Sequence, residues 1–262
     1  MIPHAIVRSA LTPLMAEPTL RAEQVSQLVL GETAVVLKRE GEWRRVRLTS
    51  DGYEGWIHRG YFEEVEEQEA EQWQADAMGW SMGAVVRVGD HQLRVPLRAR
   101  LALDAGAVRL PDGRRGTVVE GSVPDATTAA AAARAKAPER WALEHFAGTP
   151  YQWGGVTPWG VDCSGLVQTT FSARGLQLPR DSSDQMKCGT AVPLDATRPG
   201  DLLFFRGEES GNITHVAFAG EGDTLVHSTV ARGGVLAEPW LPGTRGASLR
   251  ERLVAVRRLE GR

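Results

Sequence analysis

Residues 160–168 read Gly-Val-Asp-Cys-Ser-Gly-Leu-Val-Gln, and they hold Cys163, one of two cysteines in a chain of 262 residues. A cysteine that fills a core has apolar neighbours, whereas this one lies between Asp162 and Ser164 just ahead of the helix-like run "GLVQTTFSARG". Asp162 or Cys163 suits the N-cap, and Gly175 suits the left-handed stop after the last turn. At such a helix start, unpaired backbone N–H groups and the positive end of the macrodipole favour thiolate over thiol. A thiolate needs a base, and the base needs a group to hold it.

Both needs are met downstream. His215 opens "HVAFAG" and His227 lies in "LVHST", with "GEGDT" between them as a turn. Two short antiparallel strands joined this way put both rings on one face when the register allows. His215 then takes the thiol proton, and His227 holds its far ring nitrogen. That is the nucleophile, base and orienter arrangement of acyl-transfer enzymes. Backbone N–H groups at the helix start, that of Cys163 included, can form an oxyanion hole. On spacing alone a buried structural cysteine is the competing reading.

The surroundings of these residues predict the fold. "PERWALEHFAGT" has Trp141, Leu143 and Phe146 near helical spacing behind Pro138. Strand candidates follow the cysteine helix at 201–206, 215–220, 224–229 and 253–259. Helices first and strands after them imply an α+β domain over 139–262 with a mainly antiparallel sheet.

The first half differs. Residues 1–66 carry short strand-like runs, "AVVLK", "WRRVRL" and "YEGWIH", separated by Gly31-Glu32, Gly41-Glu42 and the hairpin signal Asp51-Gly52. They suggest a small all-β barrel. Residues 67–124 repeat the pattern without a strict sequence repeat, with turns at Gly89-Asp90 and Asp112-Gly113. The alanine-rich stretch 125–138 reads as a linker, or as a short helix ending at Pro138. Trp43, Trp56, Trp73 and Trp80 read as barrel core, and the acidic run at 63–72 as a solvated linker or helix surface.

In order, "YQWGG", "DCSGLV", "PRDSSDQ", "RPGDLLFF", "HVAFA" and "VHST" resemble the NlpC-type peptidoglycan cysteine peptidases, a papain-like superfamily. The likeness spans nearly all of 139–259, and the region before it resembles bacterial SH3-like modules. It implies hydrolysis of peptide bonds in murein stem peptides, with Cys163 as nucleophile, His215 as base and His227 as third member. Tyr151, Trp153, Asp162 and Ser164 match family positions near the nucleophile or on the substrate side. Asp181 after Pro179-Arg180 resembles the subgroup that cleaves after L-Ala-γ-D-Glu and requires a free amine on the alanine. A carboxylate is the partner a desolvated ammonium needs. Ser182 would bind substrate backbone or carboxylate. In that subgroup the first SH3-like domain leans over the cleft, and Glu23 and Tyr53 match the acidic residue and tyrosine it contributes. The implied role is recycling of free murein peptides. The alternatives are hydrolysis of polymeric wall, with the SH3-like modules as targeting domains, and a non-catalytic wall-binding module.

Local alternatives stand beside these roles. Asp181 can cap a turn, Arg180 can be a structural ion-pair residue, and Tyr53 can be core edge. Cys188 in "MKCGT" has no nearby partner pattern and reads as inert. A formal net charge of −3 argues against a broad nucleic-acid surface. No apolar run has the length of a membrane span. No paired Cys-x-x-Cys or His-x-x-x-His spacing supports a metal site, and no cofactor is implied. The N-terminus lacks the pattern of a signal peptide, so a cytoplasmic location is expected.

Overall fold

The computed structural model describes residues 2–208 and 211–259. The chain forms two compact units, Met1–Ala130 and Ala131–Arg262. Among the described residues, no helix is long and apolar enough to cross a membrane.

The first unit is largely β. Strands β1 (His4–Val7), β2 (Leu11–Met15), β3 (Gln24–Val29), β4 (Thr33–Glu40), β5 (Trp43–Leu48), β6 (Glu54–His58) and β7 (Phe62–Val65) form one antiparallel sheet in the order β3-β2-β6-β5-β4-β1-β7. The expected hairpin at Asp51-Gly52 joins β5 to β6, and Gly52 adopts φ +73°, open to glycine without a Cβ penalty. Leu14, Leu28, Val46 and Ile57 are fully buried in its core. Of its two expected readings, the acidic run takes that of a helix surface from Glu67 onward. It enters helix α1 (Glu67–Asp76), which buries Ala70 and Trp73, and the Trp73 indole N–H donates to the Gly31 carbonyl at 2.8 Å.

Strands β8 (Gly79–Val88), β9 (His91–Asp104), β10 (Ala107–Arg109) and β11 (Arg115–Gly121) close into a small barrel, the second β module expected from the turn pattern. Its core, with Val86 and Leu101, takes in Val29 and Leu30 from the first sheet. Trp80 is buried, and Trp43 and Trp56 are half-buried. The alanine-rich stretch is not a bare spacer. It forms helix α2 (Ala126–Arg134), with Ala129, Ala130 and Ala133 buried.

The second unit begins with α3 (Pro138–Phe146), where Pro138 starts the helix without losing a needed donor. The short hairpin of β12 (Val156–Thr157) and β13 (Gly160–Val161) leads into α4 (Cys163–Ala173), followed by α5 (Ser182–Gln185). Then come β14 (Thr190–Ala191), β15 (Leu202–Arg206), β16 (Ile213–Ala219), β17 (Thr224–Thr229), β18 (Gly234–Pro239), α6 (Ala247–Arg250) and β19 (Leu253–Arg258). The sheet order is β14-β19-β15-β16-β17-β18, with antiparallel pairing throughout. Every residue of α4 is buried, which is why its sequence lacks a polar stripe. Phe171 of α4 packs on Phe218 of β16 with ring centroids 6.0 Å apart. Just before β15, Asp201 accepts two 2.7 Å hydrogen bonds from Arg258 of β19 and so ties these two neighbouring strands together.

Candidate active site

Asp162 is the N-cap of α4, and Cys163 is its first helical residue. Asp162 is buried, and its carboxylate is fully used. Oδ1 accepts from the Gly165 N–H at 2.7 Å and from the Ser164 hydroxyl at 3.2 Å. Oδ2 accepts from the Gly154 N–H at 2.8 Å and from the buried Arg180 guanidinium. Arg180 also donates to Ser164 Oγ at 2.7 Å. Asp162 and Ser164, expected on the substrate side, thus have their polar atoms engaged inside the protein. Arg180 takes the ion-pair role that was its local alternative.

Two neighbours fix this helix start more closely than sequence suggests. Gly165 lies against the Gly155 carbonyl, and a Cβ there would fall 2.1 Å from that oxygen. Gln185, fully buried, donates to the carbonyls of Ser164 at 3.0 Å and Pro179 at 2.9 Å, tying α5 to α4. Nothing in the local sequence around Gln185 signals this role.

Cys163 is a free, buried thiol. Burial pushes it up to about 12, and the Asp162 carboxylate adds to that shift. The Val216 and Ser164 N–H groups and Arg180 pull the other way without overcoming it. This corrects the expectation of a resting thiolate. One helix terminus carries about half a charge, too little here to offset desolvation of the sulfur.

His215 and His227 do share one face, as expected. The β16–β17 register pairs Phe218 with Val226 and Ala219 with Leu225. Carried on, it makes the two histidines diagonal neighbours rather than directly opposite ones. His215 Nε2 and His227 Nδ1 are 2.9 Å apart. Burial lowers His215 to about 3, with His227 and the cations Arg252 and Arg245 adding to the shift. Burial lowers His227 as well, against the opposing pull of Glu238. Burial thus favours the neutral form of each group, thiol on Cys163 and uncharged imidazole on His215 and His227.

The chain of contacts continues past the expected triad. His227 Nε2 lies 3.2 Å from Glu238 Oε2, and Arg245 grips both Glu238 oxygens at 2.8 and 2.6 Å. Neither Glu238 nor Arg245 was singled out from sequence. The Glu238 signal sits in a Gly-Gly-led, Pro-ended run, "GGVLAEP", that reads as loop as easily as strand.

Tyr151 is half-buried and near enough to feel the charges of Cys163 and Asp162. Burial chiefly, and those charges next, raise its phenol, so it stays a hydrogen-bond donor. Trp153 is 59% exposed on the same loop. Asp181 is exposed at the N-terminus of α5, and its side chain does not cap that helix. Ser182 follows, half-buried. Helix α5 packs against α4 and β16, the elements that carry Cys163 and His215. Glu23 and Tyr53 belong to the first unit. Glu23 is exposed, and its carbonyl accepts from the Ala16 N–H at 2.9 Å. Tyr53 is half-buried against the core of the first sheet. Cys188 is half-buried, with its thiol 3.6 Å from the Asp184 carbonyl.

Residues 148–257 match the NlpC/P60 family, and residues 14–60 match the bacterial dipeptidyl-peptidase Sh3 domain. A relative in Bacillus subtilis, the gamma-D-glutamyl-L-lysine dipeptidyl-peptidase, is 31% identical over 214 residues, which cover 78% of this chain and 71% of its own. The chain belongs to the NlpC/P60 family. The Escherichia coli probable endopeptidase NlpC is 40% identical over 92 residues, 35% of this chain and 60% of its own. The fold is shared with the crystal structure of an NlpC/P60 family protein from Bacillus cereus, with a TM-score of 0.75, 22% identity, and coverage of 97% of this chain and 99% of that one. The protein is therefore a papain-like cysteine peptidase preceded by an SH3-like domain.

Proposed function

We propose that this NlpC/P60 protein hydrolyses the bond between γ-D-Glu and a diamino acid in murein peptides with a free N-terminal L-Ala, and that it serves the recycling of such peptides. The observation that carries the hydrolase reading is the contact of His215, on the strand whose Val216 N–H reaches the Cys163 sulfur, with His227 on the neighbouring strand. The bond specificity rests on the 31% identity to the Bacillus subtilis dipeptidyl-peptidase, which runs through 78% of this chain and not the peptidase half alone.

The reaction follows from the neutral resting pair. As the Cys163 sulfur attacks the γ-carbonyl carbon, its proton passes to His215, and the carbonyl electron pair moves onto oxygen. Tyr151, held as a phenol, donates to that oxyanion together with helix-start N–H groups. The tetrahedral adduct collapses, the C–N bond breaks, and the departing amine takes the proton from His215. Water, deprotonated by His215, then cleaves the thioester and restores the thiol. Asp181 receives the substrate ammonium and Ser182 its backbone. Trp153 offers an exposed aromatic face on the loop that carries Tyr151.

The test uses L-Ala-γ-D-Glu-diaminopimelate and the same peptide acetylated on the alanine nitrogen, with Cys163→Ala as the blank. Mass spectrometry should find L-Ala-γ-D-Glu released from the free peptide alone. Equal cleavage of both would remove the free-amine requirement and favour wall hydrolysis. Cleavage of neither would remove the bond assignment.

A further inference from the structure

We propose that Glu238, clamped by Arg245, is a positioning residue that fixes the tautomers of both site histidines and leaves His215 Nδ1 as the base for Cys163. The inference rests on the reading of Cys163 and His215 as nucleophile and base.

An ionised carboxylate can only accept. Burial alone would raise the Glu238 carboxyl, but hydrogen bonds and charge from Arg245 hold it below the ordinary range. The 3.2 Å contact to His227 Nε2 therefore needs a proton on that nitrogen. His227 is neutral, since burial lowers it, and a neutral imidazole carries a single N–H. Its Nδ1 is then an acceptor. The 2.9 Å contact with His215 Nε2 must be donated by His215. A neutral His215 with its proton on Nε2 has its lone pair on Nδ1, the nitrogen His227 does not engage.

Without the carboxylate nothing sets this direction. His227 could equally carry its proton on Nδ1 and donate to His215 Nε2. His215 would then hold its own proton on Nδ1 and could not accept one there. With Glu238 in place, the thiol proton moves from Cys163 to His215 Nδ1 and the bonding pair stays on sulfur. The imidazolium that forms donates through Nε2 to His227, and the Glu238 charge lies at the end of the row.

The backbone builds this row. Glu238 is paired with Leu225 and His227 with Leu236, so Glu238 lies diagonal to His227, as His227 does to His215. The three side chains step across β16, β17 and β18 on one face. Arg245, on the segment after β18, closes the row from outside.

The full chain, labelled with 15N-histidine, is examined at neutral pH by two-bond 1H–15N correlation, with assignment by single His→Gln variants. Both site histidines are expected as Nε2–H tautomers. A proton on Nδ1 of either would overturn the proposal. In Glu238→Gln the amide can donate or accept, so the direction is no longer imposed. The expected result is loss of kcat on the order of 10–100-fold with KM unchanged. Cys163 alkylation by iodoacetamide should slow in parallel, mapped by peptide mass spectrometry because Cys188 is a second free thiol. A Glu238→Gln protein with wild-type kcat and alkylation rate would also overturn it. If the wild type cleaves no murein peptide, the substrate reading fails, while the spectra and alkylation still decide this one.

Discussion

At the scale of single residues, burial controls the chemistry. Cys163 is 8% exposed, and desolvation outweighs the donors that reach its sulfur. Its value of about 12 lies above that of a free thiol, so the thiol form holds through neutral pH and thiolate appears only in strong alkali. The ultraviolet thiolate absorbance that separates Cys188→Ser from Cys163→Ala/Cys188→Ser should be absent at neutral pH. A neutral-pH plateau of that absorbance would mean a resting ion pair. The Arg180–Asp162 pair obeys the same rule with opposite stakes. Both side chains are nearly buried, at 2% and 7% exposure. Arg180→Met strands a buried carboxylate and should cost about 3–5 kcal/mol in urea unfolding. It should also slow Cys163, because Asp162 would lose what holds it as the cap of α4.

At the scale of elements, α4 and the β16–β18 face do the positioning. Helix α4 can start at Cys163 only because Gly165 lets the first turn approach the Gly155 carbonyl. Gly165→Ala sets a methyl against backbone that cannot swing away, and overpacking of this kind costs about 1–3 kcal/mol. Thermal unfolding should show the loss, and peptide cleavage should fall further than stability does, because the nucleophile is displaced with the turn. These elements were partly legible. The N-cap at Asp162, the stop at Gly175 (φ +80°) and the strands at 202–206, 213–219, 224–229 and 253–258 follow from capping residues and apolar runs that act locally. Strand β18 was not legible. It is an edge strand that ends in Pro239, and its extended form comes from pairing with β17.

For the whole molecule, the division into Met1–Ala130 and Ala131–Arg262 gives each half its own core. A fragment of residues 125–262, which keeps α2 whole, should therefore fold alone and unfold cooperatively, as autonomous domains do. Circular dichroism during urea titration reads this directly. A fragment that stays unfolded would mean that the second unit draws its stability from the first. The first unit shows how sequence pattern and architecture separate. Turn signals near every tenth residue announced small β modules. They could not announce that Val29 and Leu30 of the first sheet would enter the barrel core, or that Trp73 would reach the Gly31 carbonyl.

The sequence by itself determined a cysteine at a helix start, two histidines on neighbouring strands, an α+β peptidase half and a β-rich first half. Each of these is written in local signals: a cap, a turn, an apolar period, a spacing. Only the tertiary structure decided the protonation state of Cys163, the inward use of Asp162 and Ser164, and the extension of the histidine pair to Glu238 and Arg245. Desolvation depends on everything packed around an atom. A diagonal row across three strands depends on their register, which pairing between distant segments creates and no local stretch encodes.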